Sequence, residues 1–343
     1  MSTQDIAAPK VSLTDVPVDG PARVVGTPDG ARHGWSVGID IGGTKVLGVI
    51  LDPGGLVRHE VRAPTVRGVE GVVSGVVDVV TQLTAQAGVA LEDLAGIGLG
   101  VPGVVAPGDG TVEHAVNLGI SQRVSLGVLV AQRLGGVPLV AVENDLNMAA
   151  LGAAHLSDVP VVDLAFLALG TGVAAGLLLD GRLRRGAGGA AGEIGHLTLL
   201  VDGLPCKCGQ TGCLEQYASG TAIDAAWPGP HERPAPAELF DAAAAGDAAA
   251  IAVRDRFAWA VASAVRILVL TCDVRRVVIG GGVSQVGEPL LEAVQGVLAA
   301  EAQASPFLAS MALAERVVLA PAGVPVGAVG AALAGRLARE GAL

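Results

Sequence analysis

A strand, a glycine turn and a second strand occur twice in this chain of 343 residues, with the same internal spacing. The first copy runs Trp35–Ile41, then Gly42-Gly43-Thr44, then Lys45–Leu51, and closes on the turn Asp52-Pro53-Gly54-Gly55. The second runs Leu164–Leu169, then Gly170-Thr171-Gly172, then Val173–Leu179, and closes on Asp180-Gly181. With Thr44 set against Gly172, Gly48 falls on Gly176 and Asp52 on Asp180. Short apolar runs bounded by Gly, Pro and Asp read as strands, and self-similarity at a fixed offset marks a repeated unit. Such a chain is expected to build two α/β halves, each presenting a glycine turn at a strand end. Two such turns facing one another would make a pair of jaws for phosphate.

The length agrees, because 343 residues exceed what one ordinary core supports. Apolar periodicity predicts helices at Val69–Ala87, 126–134, from Asn144-Asp145 to His155, at 241–270 and at 326–340. It predicts buried strands at 95–101, 138–142 and 276–279. Residues 1–34 carry Pro9, Pro17, Pro21 and Pro28 with no apolar period, and are expected to form a disordered tail.

Charge narrows the function. The net charge is −11, with only 22 Lys and Arg and no basic run, which argues against a nucleic-acid partner. The first residues are polar, and every apolar stretch is interrupted before it reaches bilayer length, so no membrane association and a cytoplasmic location are expected. In that compartment four cysteines read as metal ligands or structural thiols rather than disulfides.

The first candidate site is Gly38-Ile39-Asp40-Ile41-Gly42-Gly43-Thr44-Lys45. Gly42 and Gly43 let backbone N–H groups approach an anion and nest phosphate oxygens. Thr44 and Lys45 add a hydroxyl and a cation, and Asp40 is placed to hold a magnesium-bound water. The spacing is not that of a Walker A loop, and alone the octapeptide reads equally as a hairpin with a glycine-rich turn. Gly170-Thr171-Gly172 and Gly280-Gly281-Gly282 are further glycine turns after apolar strands. Together the three suit ATP, two on the triphosphate and the third on adenosine. Asp145 leaves a strand and enters a helix, where Asp is a favoured N-cap. The helix N-terminus favours its ionised form, leaving it able to take a hydroxyl proton. Phosphoryl transfer asks mainly for positioning and charge stabilisation, so a weak base suffices.

The densest set of ligating side chains is Glu193-Ile194-Gly195-His196 with Cys206-Lys207-Cys208 and Gly212-Cys213-Leu214-Glu215. One His and three Cys make a closed tetrahedral set for structural zinc, against the alternative of a Cys206–Cys213 disulfide. A metal there would fix Glu193 and Glu215 in space as acceptors for sugar hydroxyls. Cys272 ends an apolar helix and reads as core.

On these residues the chain resembles the ROK family (repressors, open reading frames and sugar kinases) of the actin-like ATPase superfamily. The resemblance covers about residues 35 to 343. It rests on Gly38–Lys45, on Asn144-Asp145 with Asn147, on Gly170–Gly172, on Glu193–His196 through Glu215, and on Gly280–Gly282. It implies an α/β fold of two actin-like (ribonuclease H-like) domains with a cleft between them. Residues 35–143 with 326–343 would form the smaller domain, and 144–325, with the zinc loop, the larger. It implies an ATP-dependent sugar kinase using Mg2+ and a structural Zn2+, in which Asp145 deprotonates the 6-hydroxyl of a hexose. Sugar contacts are implied for Gly103, Asn117, Asn144, Glu193, His196 and Glu215, with one His196 ring nitrogen on zinc and the other on sugar. Glucose is the first expectation, with N-acetylmannosamine or N-acetylglucosamine as alternatives. A reading of another class is a sugar sensor without turnover, which need not keep Asp40, Asp145 and intact glycine loops. The family further implies a homodimer or homotetramer.

Overall fold

The computed structural model of the chain describes residues 34–106, 110–136 and 139–339. Apart from Gly34, the tail expected over 1–34 lies outside the described residues, as do Pro138 of the strand predicted at 138–142 and Glu340 of the last helix.

The first half runs β1 (Trp35–Ile41), β2 (Lys45–Leu51), β3 (Val57–Pro64), α1 (Val69–Ala87) and β4 (Leu94–Val101). A small hairpin follows, β5 (Val104–Val105) and β6 (Val112–Glu113), then α2 (Leu126–Arg133), β7 (Val140–Asn144) and α3 (Asp145–His155). The second half opens with β8 (Leu164–Leu169), β9 (Val173–Leu179) and β10 (Arg182–Leu183). Helices α4 (Glu215–Ala218), α5 (Gly220–Ala226), α6 (Ala235–Ala244) and α7 (Ala248–Cys272) precede β11 (Arg276–Gly280). The chain then forms α8 (Glu288–Ala304), α9 (Pro306–Ser310), β12 (Val317–Leu319) and α10 (Val326–Arg339).

Each half folds into one five-stranded mixed sheet, in the orders β3-β2-β1-β4-β7 and β10-β9-β8-β11-β12. In both, the three opening strands pair antiparallel and the two later strands join in parallel. The repeat read from the sequence is therefore a repeat of topology. The parallel strands are covered on both faces and so read as unbroken apolar runs; all eight residues of β4 are buried.

The two closing helices are exchanged. Helix α3 follows the last strand of the first sheet but packs on β8 and β9, whereas α10 follows the last strand of the second but packs on β1 and β4. Glycines permit the close approach. A side chain at Gly38 would collide with the backbone of Ala328 and Ala332, and one at Gly176 with the Leu146 carbonyl. The helices also pack on each other, with Gly330 against the Met148 carbonyl.

The single helix expected over 241–270 is two. Gly246, at φ +91°, stops α6. Asp247 then caps α7, its Oδ1 accepting the N–H groups of Ala249 at 2.8 Å and Ala250 at 2.9 Å. An N-cap satisfies donors that a new helix start leaves unpaired, and the surrounding alanines masked it. Strand β7 also lies two residues later than the predicted start at 138. Cys272 is only partly buried, packed at the edge of the second half's core. Among the described residues no helix is long and apolar enough to cross a membrane.

Candidate active site

Asp40 lies near the end of β1, Asp145 is the first residue of α3, and Gly280-Gly281-Gly282 leaves the end of β11. These residues line one cavity of about 510 Å³ together with Lys45 and Gly327. Gly327 is the second residue of α10, and a side chain there would meet Asp40 Oδ2 at 3.1 Å. Two helix N-termini, each carrying partial positive charge, thus open on a cavity that holds two carboxylates and a lysine. Of the first loop, Asp40 and Lys45 line the cavity, while Gly42, Gly43 and Thr44 form the turn between them.

Asn144, rather than Asp145, is the N-cap of α3. Its Oδ1 accepts the N–H groups of Leu146 at 2.9 Å and Asn147 at 3.4 Å. The Asp145 carboxyl opens onto the cavity on one side and is crowded by protein on the others. Burial pushes its pKa from 3.8 up to about 7, aided by the charge of Asp40 and, more weakly, of Glu193, against the Leu146 N–H. Burial also raises Asp40 to about 6, with Lys45 opposing. The expectation that the helix end keeps Asp145 readily ionised is therefore corrected, because desolvation outweighs it. The result suits a base: a carboxylate with its pKa near the working pH combines basicity with a substantial ionised fraction.

Of the residues predicted to meet sugar, Asp145 lines this cavity, whereas Gly103, Asn117, Asn144, Glu193, His196 and Glu215 do not. Asn144 Nδ2 donates to the Gly103 carbonyl at 3.1 Å, joining that turn to the start of α3. A side chain at Gly43 would meet Asn117 Cβ at 3.2 Å, so the Asn117 loop lies directly against the first glycine turn. Glu215 begins α4, and its Oε2 accepts the Val173 N–H at 3.0 Å. One of its oxygens is thus engaged by the second glycine turn. Thr171, Gly172 and Glu215 line a different cavity, of about 760 Å³, with Tyr217 and Arg256. The three glycine turns accordingly fall on two cavities, although the second and third stand side by side. A side chain at Gly281 would lie 2.5 Å from the Leu169 carbonyl oxygen at the end of β8.

His196, Cys206, Cys208 and Cys213 converge, with their ligand atoms all within 4.8 Å of one another. The Sγ atoms of Cys208 and Cys213 are 3.6 Å apart, and Cys206 Sγ is 3.8 Å from His196 Nδ1. A tetrahedral site with Zn–S bonds of ~2.3 Å has donors ~3.8 Å apart, so the set fits zinc. A disulfide needs sulfurs ~2.05 Å apart. Burial pushes the Cys213 thiol up to about 12, whereas hydrogen bonds from Gln210 lower Cys208 to about 6. Nδ1 of His196 faces the thiols.

Two functional candidates escaped the sequence reading. Glu143, just before the Asn144-Asp145 pair, is 4% exposed. Its Oε1 accepts the Asn144 N–H and Asn147 Nδ2, each at 2.9 Å, and its Oε2 accepts Arg185 Nε at 2.5 Å. The one available hint was that a buried acid needs a partner; nothing local points to an arginine 42 residues away.

The ROK family model matches residues 36–336. A glucokinase of Halalkalibacterium halodurans is 33% identical over 280 residues, spanning 76% of this chain and 84% of that one. An N-acetylmannosamine kinase of Vibrio cholerae is 32% identical over 250 residues, 72% of this chain and 84% of that one. Among solved structures, a ROK family glucokinase from Streptomyces griseus in complex with glucose and AMPPNP superposes with a TM-score of 0.69 at 30% identity, covering 88% of this chain and 99% of that one.

Proposed function

Because the chain belongs to the ROK family, we propose that this ATP-dependent sugar kinase phosphorylates a hexose at its 6-hydroxyl, glucose first. What supports this most is that Asp145 and Asp40 line one cavity with Lys45 and the third glycine turn. In the proposed reaction Asp145 takes the proton of the 6-hydroxyl as the sugar oxygen attacks the γ-phosphorus. A new O–P bond forms, the bond to the β-phosphate oxygen breaks, ADP leaves, and the proton on Asp145 passes to water. Such a transfer depends on in-line positioning and on neutralising phosphate charge, which Lys45 and the N-termini of α3 and α10 supply.

Asp40 lines the cavity beside Lys45, and a hard oxygen-seeking Mg2+ fits a carboxylate placed there. Asp40 would hold its water, and Mg2+ when bound supplies charge neutralisation on the phosphates. His196, Cys206, Cys208 and Cys213 would hold zinc in a structural role, keeping Glu193 and Glu215 in place as sugar acceptors. Gly103, Asn117 and Asn144 complete the sugar side in this reading, with Gly42 to Thr44 and Gly170 to Gly172 on phosphate and Gly280 to Gly282 on adenosine. We read the two sheets with their exchanged helices as two actin-like domains, of 35–143 with 326–343 and of 144–325, acting in the cytoplasm as a dimer or tetramer.

The glucokinase relative and the glucose-bound neighbour support glucose, and the N-acetylmannosamine kinase relative supports an N-acetylhexosamine as the second reading. A coupled ADP-release assay over glucose, mannose, N-acetylmannosamine and N-acetylglucosamine separates them. Glucose is expected to give the highest kcat/KM. A preference for an N-acetylhexosamine selects the second reading. Sugar binding by calorimetry without ADP release would mean a sensor.

A further inference from the structure

We propose that Glu143 and Arg185 form a positioning latch that holds the strand bearing the catalytic base in register with the loop that carries Glu193. The inference rests on the sugar-kinase reading above and concerns residues that touch neither substrate.

Glu143 is the next-to-last residue of β7, and its carboxylate spends both oxygens on orientation. Oε1 fixes the Asn144 N–H and the Asn147 side chain at 2.9 Å each, so it sets the first turn of α3 on which Asp145 stands. Oε2 crosses to the other half of the molecule and accepts Arg185 Nε at 2.5 Å. Arg185 lies just after β10 and opens the segment that ends at Glu193. That segment is pinned at several points. The Arg185 carbonyl accepts the Ala191 N–H at 3.1 Å, and the Gly192 carbonyl accepts the Ala175 N–H at 2.8 Å. Gly189 lies near Val104 and Val105, close to the Gly103 turn to which Asn144 is bonded. The chain from Gly103 through Asn144 and Glu143 to Arg185 is therefore a continuous set of polar contacts joining three segments that the sugar must meet together. The charge of Glu193 is felt at Asp145, which agrees with the two ends of the latch facing one reacting centre.

An ion pair buried to this degree is weak evidence for stability, and its best-attested use is to fix one arrangement among several. Misplacing reacting groups by about 1 Å can cost ~10²-fold in rate. The latch predicts a loss specific to sugar. Arg185→Met should lower kcat/KM for glucose by about 10²-fold, while KM for ATP stays within about twofold and one zinc per chain is retained. Arg185→Lys, which restores the charge but not the planar guanidinium, should recover part of that loss. The double variant Glu143→Gln with Arg185→Met leaves no orphaned carboxylate and should still show the sugar-specific loss.

Full recovery in the double variant would mean that the pair only balances charge, and would overturn the proposal. So would Arg185→Met with unchanged sugar kinetics, or with apparent kcat, zinc content and melting temperature all falling together while both KM values stay put, the result of a merely structural pair. A wild-type enzyme that phosphorylates no hexose would overturn the underlying function. An active wild type with an indifferent Arg185→Met would overturn the latch alone.

Discussion

The two sheets share one strand order and one pattern of parallel and antiparallel pairing, yet the two buried carboxylates of the cavity, Asp40 and Asp145, both come from the first half. Asp40 is the next-to-last residue of β1, and the same place in β8 is Ala168; both line the cavity of the base. After the fifth strand the first half presents Asn144-Asp145, where the second presents Pro325-Val326. The turns differ as well. Four residues separate the last pair Ile41 and Val46, against three between Leu169 and Val173. The comparison separates what topology provides from what side chains add. Topology brings strand ends and helix N-termini to one place, and the two carboxylates there come from a single copy of the repeat.

The sharpest test of that asymmetry is Asp145→Asn. It keeps shape and hydrogen bonding but removes the proton acceptor, so kcat should fall about 10²–10⁴-fold while calorimetry finds sugar affinity little changed. A near-normal kcat would return the base to some other residue and break the contrast between halves.

Among the described residues, the cluster of His196, Cys206, Cys208 and Cys213 belongs to the second half. Cys213→Ser should lose the metal, measured by elemental analysis, and then sugar affinity, because a loop held by ligands loses its order with the ion. Freshly purified wild-type protein without zinc would remove this difference between the halves.

Where the halves are alike, substitutions should cost alike. Gly38→Ala and Gly176→Ala each drive a methyl group into a helix backbone, and overpacking of this kind destabilises by about 1–3 kcal/mol. Gly282→Ala, with open space around it, should leave the melting temperature nearly unchanged. A large drop for only one of the first two would show that the exchanged helices are not equivalent.

The smallest expected effect is on the pH profile. Asp145 must be ionised to accept a proton, and its pKa is raised to about 7, so kcat/KM for sugar should fall as pH drops through about 7. Asp40→Asn removes a like charge that raises that pKa, and the acid limb should move to lower pH, whatever happens to the maximum rate. A limb that stays put would mean that burial alone sets the base.

The sequence shows the strands that are wholly apolar and the helices that begin at a capped turn, because both follow local rules. It hides β3, whose Arg58, His59, Glu60 and Arg62 suit an exposed edge and carry little apolar signal. It hides β12, three residues long. For the site, glycine turns and clustered ligands are local and legible. The sharing of one cavity by Asp40 and Asp145, and the ion pair of Glu143 with Arg185, arise from distant segments meeting and leave no periodicity to read. The raised pKa of Asp145 is illegible for the same reason: its helix end is visible in the sequence, its burial is not.

The exchange of closing helices has a consequence for how the chain is made. The first sheet leaves the ribosome early, but α10 covers its face on β1 and β4, and Arg336 reaches back 300 residues to bond Ser36. At synthesis rates of about 5–20 residues per second, that sheet, complete at Asn144, waits roughly 10–40 s for its cover, with Gly38 and Gly98 exposed on an apolar face. A chain ending at residue 325 should therefore bind a hydrophobic dye and be cut by protease within the first half, although every strand of that half is present. Supplying residues 326–343 as a separate peptide should reverse both.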